Sequence, residues 1–223
     1  MTRALTHRGP DEEGFFERPG IAMGSRRLSI VGLADGQQPM TNEERSAWVV
    51  FNGELFDHVE KRADLEAKGH QFHTHCDTEI IPHLWEEAGV RMFSQLQGQF
   101  AIALWSDKER KLLLGRDRFG IAPLYWSRQG DWLLFASEIK GLLASGMVPA
   151  KPDRRGIDHL FTFAALPGPI TCFENVQLLS PGQFLELEVG RADTVRERAY
   201  WQLDFPDQGQ EEDGDPKKLV DEF

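Results

Sequence analysis

The sequence is poor in cysteine, in long apolar runs and in positive charge, and each shortage excludes something. Only Cys76 and Cys172 occur among 223 residues. Two thiols make no disulfide framework, and with no secretory leader before Met1 the expected setting is reducing and cytoplasmic. The longest apolar stretches, such as 100–105, are far too short to span a bilayer, so no membrane partner is expected. A net charge of -11 argues against a nucleic-acid partner, because phosphate binding needs a basic surface. That charge is unevenly spread: residues 204–223 carry -6 and the rest -5, so the tail reads as a solvated connector.

What is present is core-forming material. Hydrophobic residues make up 40% of the chain, including 15 Phe and 6 Trp, enough for one large domain. Strand-like runs come in pairs at 47–51, 100–105, 111–115, 124–127 and 132–136. The first ends at Asn52-Gly53, and polar stretches at 106–110 and 129–131 make hairpin connections. Helices are predicted over 58–68, stopped by Gly69, and over 78–88, with Asp77 as N-cap and Pro82 near the first turn. Two more are predicted at 138–144 and 154–163. Hairpins interrupted by a few helices indicate an α+β domain with antiparallel sheets. Residues 1–203 form this domain, 204–216 an acidic linker, and 217–223 the start of a helix in a following domain.

Four segments carry groups suited to chemistry: HRGPD at 7–11, RLSIV at 27–31, FNGE at 51–54 and DTE at 77–79. Together they supply what an amino-acid amide would need. The Arg27 guanidinium matches an α-carboxylate, and the Asp77 carboxylate matches an α-ammonium. Asn52 and the Gly53 N–H could both donate to an oxyanion at a strand end, where glycine permits close approach. Each piece alone also has a plain reading. Asn-Gly is a common hairpin turn, Asp77 a helix cap and Arg27 a surface arginine.

Other groupings point to less. His73 and His75 share one face if their segment is a strand, and with His70 they suggest a metal. Three or four converging ligands are missing, however, so no metal site is expected. GRDRFG at 115–120 follows no βα turn and reads as a hairpin corner, not a nucleotide loop. Trp85, Trp105, Trp126 and Trp132 read as packing residues, and Cys76 as a small buried hydrophobe.

Those four segments, followed by QLQGQFAIALW (95–105), GRDRFGIAPLYW (115–126), FASEIKGLL (135–143) and LSPGQFLEL (179–187), stand in an order that resembles the glutaminase (class II amidotransferase) domain of asparagine synthetases. The resemblance runs from His7 to about Trp201. It implies an N-terminal-nucleophile-hydrolase fold, a four-layer αββα sandwich with antiparallel sheets. In it Arg27 would hold the α-carboxylate of glutamine. Asp77, with Gly53 and Glu54, would hold the α-amino end, and Asn52 and Gly53 would form the oxyanion hole. ATP and magnesium would belong to a C-terminal synthetase domain, whose phosphate loop does not occur here. Homodimers are common among such relatives.

The departure from the pattern is the nucleophile. The family begins with cysteine on a first strand, followed by a helix whose tail Met1–Leu5 resembles. The resemblance therefore implies a missing first strand and helix, and a chain inactive as given. Cys76 and Cys172 cannot substitute, because neither joins a thiol to a free α-amine. A fragment of a working amidotransferase, a cysteine-less binding module and a β-lactam-synthetase-type relative all stay open.

Overall fold

The computed structural model describes residues 1–28, 35–190 and 195–205, with 207 and 209. The end of RLSIV, most of the acidic linker and the helix expected at 217–223 lie outside the described residues. The strands are β1 (Glu12–Arg18), β2 (Ile21–Arg27), β3 (Met40–Thr41), β4 (Ala47–Leu55), β5 (Gly98–Ser106), β6 (Lys111–Arg116), β7 (Tyr125–Gln129), β8 (Trp132–Ala136), β9 (Gln177–Leu178), β10 (Gln183–Glu188) and β11 (Arg196–Ala199). The helices are α1 (His58–Ala67), α2 (Ile80–Ala88), α3 (Met92–Gln95), α4 (Ile139–Leu143) and α5 (Arg154–Phe163).

Strand alternation builds the layers. The central sheet runs β11-β10-β6-β5-β4-β3, with all its pairings antiparallel. One face turns Val49, Phe51, Phe100, Ile102, Leu104 and Phe184 toward Leu65 of α1, Ile80, Ile81 and Leu84 of α2, and Phe93 of α3. The other turns Ala101, Ala103, Trp105, Leu112 and Leu114 toward Phe16 and Met23 of the β1–β2 hairpin, with Trp126 and Phe135 of β7 and β8 alongside. A third core joins Leu134 and Ala136 of β8 to Leu142 of α4. The order is helix, sheet, sheet, helix. The second sheet layer comes in two pieces, β1-β2 and β8-β7-β9.

Several local expectations are corrected. β4 does not stop before Asn52-Gly53; it runs on to Leu55, pairing residue for residue with β5 as far as Gly98. A Cβ on Gly53 would lie 2.0 Å from the Gln99 carbonyl oxygen, and one on Gly98 would lie 2.2 Å from that of Glu54. Two glycines thus let the strand ends approach closely, and the dipeptide is ladder, not turn. Arg27 ends β2 and is buried, not the surface arginine of its plain reading. Asp77 caps no helix: residues Asp77–Glu79 form a 3-10 turn, and α2 begins only at Ile80. His73 and His75 lie in an irregular segment, so they share no strand face. Trp132 is 64% exposed, unlike the buried Trp85 and Trp105, because it sits at the outer end of the β7–β8 hairpin.

Candidate active site

The end of β2, the end of β4 and the Asp77–Glu79 turn converge on one cavity of about 320 Å³. Arg27, Asn52, Gly53, Glu54 and Asp77 all line it. These positions span fifty residues of sequence, and three elements bring them together. β2 delivers Arg27, which is 8% exposed and donates to the Glu12 carboxylate at 2.9 Å. β4 delivers Asn52, Gly53 and Glu54 at its open end. The 3-10 turn delivers Asp77, whose Oδ2 accepts the Leu55 backbone N–H at 2.9 Å.

Asp77 is buried, and among the described residues its second oxygen meets the Cys76 thiol and the Thr78 hydroxyl, each at 3.4 Å. A buried carboxylate with part of its capacity unspent is suited to a cationic ligand. Cys76 sits beside it, 3% exposed. Burial pushes its thiol pKa up, with the Asp77 charge adding to that. It is therefore held as a neutral thiol, consistent with a packing role.

HRGPD contributes from behind. A Cβ on Gly9 would fall 2.2 Å from the Arg26 carbonyl carbon, so glycine lets this turn lie flat on the end of β2. His7 Nε2 meets the Glu138 carboxylate at 2.9 Å, with Arg8 at 3.3 Å and Lys140 at 3.1 Å. Burial alone would raise the Glu138 carboxyl; His7, Lys140 and Arg8 outweigh it and hold it below its ordinary value. Two motifs more than 120 residues apart, HRGPD and ASEIK, thus close one wall, to which Arg8 and Ser137 contribute.

Sequence reasoning missed Gln38, Thr78, Ser25 and Arg26, which also line the cavity. Gln38 is the most informative: its Oε1 accepts the Phe51 N–H at 2.8 Å, and its Nε2 reaches the Thr78 hydroxyl at 3.4 Å. It ties β4 to the Asp77 turn, yet no periodicity or motif marks it. GRDRFG is a corner, but not the hairpin corner expected: it carries the chain from β6 in the central sheet to β7 in the second sheet layer. Arg116 donates to the carbonyls of Gly120, Ala122 and Leu179, and Asp117 accepts the N–H groups of Phe100, Phe119, Ile121 and Ala122. His73 and His75 are exposed, and neither joins Asp77 in a cluster of potential metal ligands among the described residues. No helix of the described residues is long and apolar enough to cross a membrane.

The layers are those of the N-terminal-nucleophile-hydrolase type of αββα fold, and comparison with known proteins gives the family. A family model described as "glutamine amidotransferase domain" matches residues 1–201, and the chain belongs to that family. Two Bacillus subtilis proteins, asparagine synthetases [glutamine-hydrolyzing] 1 and 2, are 33% and 34% identical to it over its whole length. A Penicillium rubens protein named amidase chyE is 36% identical over 90% of the chain. The chain spans about a third of the length of these relatives: 34%, 30% and 29%. Among solved structures, the glutamine phosphoribosylpyrophosphate amidotransferase of B. subtilis superposes with a TM-score of 0.59 at 19% identity. It covers 82% of this chain and 35% of its own.

Proposed function

We propose that this chain is the glutamine-binding part of an asparagine-synthetase-type amidotransferase. The observation that carries the reading is the convergence of Arg27 and Asp77, buried and of opposite charge, on one cavity with Asn52 and Gly53 at its rim. A zwitterionic amino acid needs one anchor of each sign, and an amide under attack needs donors where its oxygen becomes negative. In this reading Arg27 holds the α-carboxylate, Asp77 with Glu54 and Gly53 the α-ammonium, and Asn52 and Gly53 the oxyanion.

The nucleophile would be an N-terminal cysteine supplied by residues upstream of Met1. Its thiol would pass its proton to its own α-amine and attack the side-chain amide carbon as thiolate, ammonia would leave with that proton, and water would then cleave the thioester to glutamate and restore the thiol. ATP and magnesium belong, in this reading, to a C-terminal synthetase domain that amidates aspartate, for which the relatives' remaining length leaves room. The 223-residue chain alone binds glutamine without turning it over.

Calorimetry of the chain with glutamine tests the pocket. Binding is expected, and Arg27→Ala should abolish it; heat that survives the substitution would refute the assignment. A chain extended upstream to a cysteine start should release glutamate from glutamine. A cysteine-start chain that binds glutamine but never hydrolyses it would leave a binding module instead.

A further inference from the structure

On the helical side of the central sheet, away from the glutamine cavity, two histidines and two glutamates face one another. Glu43 comes from the turn between β3 and β4, His70 from the segment after α1, and His83 and Glu86 from successive turns of α2. One ligand atom from each lies within 4.8 Å of all the others. His83 Nδ1 is 3.0 Å from Glu43 Oε2 and 3.2 Å from His70 Nδ1. His70 Nδ1 is 3.4 Å from Glu43 Oε1, and Glu86 Oε2 stands 3.8 Å and 4.0 Å from the two ring nitrogens. Ligands at about 2.0–2.1 Å from a tetrahedral zinc would stand about 3.3 Å apart, and the separations bracket that spacing.

The orientations point the same way. Glu43 Oε2 is buried and accepts no hydrogen bond among the described residues, although His83 Nδ1 is 3.0 Å away. Those two atoms are not aimed at each other, as they would be in a hydrogen bond. His70 Nε2 contacts the Glu87 carboxylate at 3.2 Å; with its proton there, Nδ1 turns a lone pair into the cluster. Glu86 is oriented in turn by Asn42, whose amide donates to Oε1 at 2.7 Å. An imidazole and a carboxylate steered from behind in this way, as His70 and Glu86 are, are common surroundings of a bound metal. The His83 side chain is fully buried and that of His70 nearly so, while Glu43 is partly buried and Glu86 lies at the surface.

We propose that Glu43, His70, His83 and Glu86 bind a divalent transition-metal ion, zinc by coordination preference. The ion pins α2 to the β3–β4 turn and to the segment that leads into Asp77. None of the four ligands lines the glutamine cavity, so the role is structural and stands apart from the functional reading above.

The test uses the full chain, produced with zinc in the medium and passed through a desalting column. About one zinc per chain is expected by elemental analysis. Replacement by cobalt should give the visible absorption of a tetrahedral N/O site. Chelation should lower Tm by several degrees, and added zinc should restore it. Glu86→Gln, at an exposed position, and His70→Gln, which keeps a polar side chain of similar size, should keep the fold and lose the metal, whereas a doubly substituted His73→Gln, His75→Gln chain should keep it. Background metal content with a Tm indifferent to chelator and zinc would overturn the proposal. So would metal that survives both ligand substitutions or vanishes with the His73 and His75 pair.

Discussion

The Asp77 carboxylate takes the Leu55 backbone N–H at 2.9 Å, so the residue that faces the cavity also fastens the turn before α2 to the end of β4. One oxygen does structural work and the other faces the cavity, and an amide can perform the first task but not the second. Asp77→Asn should therefore melt within a few degrees of the parent, since its amide oxygen still accepts from Leu55. Glutamine affinity should fall about tenfold or more, as expected when a charge-assisted contact of about 1.5–3 kcal/mol is lost. Calorimetry beside a thermal melt separates the two; unchanged affinity would remove Asp77 from the ligand.

Gly53 is held by contact with the neighbouring strand. A methyl group there would lie 2.0 Å from the Gln99 oxygen and 2.8 Å from the Phe100 Cα, both backbone atoms of β5. Gly53→Ala should cost about 1–3 kcal/mol in denaturant unfolding. A loss under a few tenths of that would mean the two strands part more easily than their pairing implies.

Glu79 makes the protein acid-sensitive in a defined window. Burial raises its carboxyl, but the His83 imidazole, the Thr74 hydroxyl and the N–H groups of His73 and Thr74 overcome that and leave it at about 2, against 4.5 when unperturbed. A depressed carboxyl stabilises the fold above its unfolded pKa and loses that contribution as the pH falls through the folded value. Stability should therefore decline between pH 4.5 and about 2, by up to ~3 kcal/mol from this group. Glu79→Gln should flatten that part of the profile, read by urea unfolding at a series of pH values.

Cys76 should behave as a protected thiol. It is 3% exposed, and burial pushes its pKa up from 9.0, so thiolate is scarce at neutral pH. Iodoacetamide at pH 8 should label Cys76 only after denaturation, as peptide mass spectrometry would reveal. Rapid native labelling would mean that the cavity wall opens.

Much of this architecture was legible from local pattern. The runs at 132–136 and 154–163 coincide with β8 and α5, because turn residues bracket the strand and Asp153 caps the helix with a hydrogen bond to Arg155 N–H. What failed were signals whose meaning depends on partners far along the chain. Asn52-Gly53 carries the chemistry of a turn, but a strand 46 residues later gives it a ladder. Asp77 has the chemistry of a cap, but Leu55 offers it a better donor. His70 could not be matched to its companions because Glu43 precedes it by 27 residues and His83 follows by 13, and no single element sets those spacings.

The corner at Arg116 and Asp117 also bears on how this domain comes apart. Its two side chains gather seven backbone partners, from Phe100 as far as Leu179. No one of those segments can leave without stranding a buried guanidinium or carboxylate, so local fraying is suppressed there. The amides of Phe100 and Ala122, both donated to Asp117, should therefore fall in the slowest-exchanging class and report unfolding of the whole domain, not breathing of a loop.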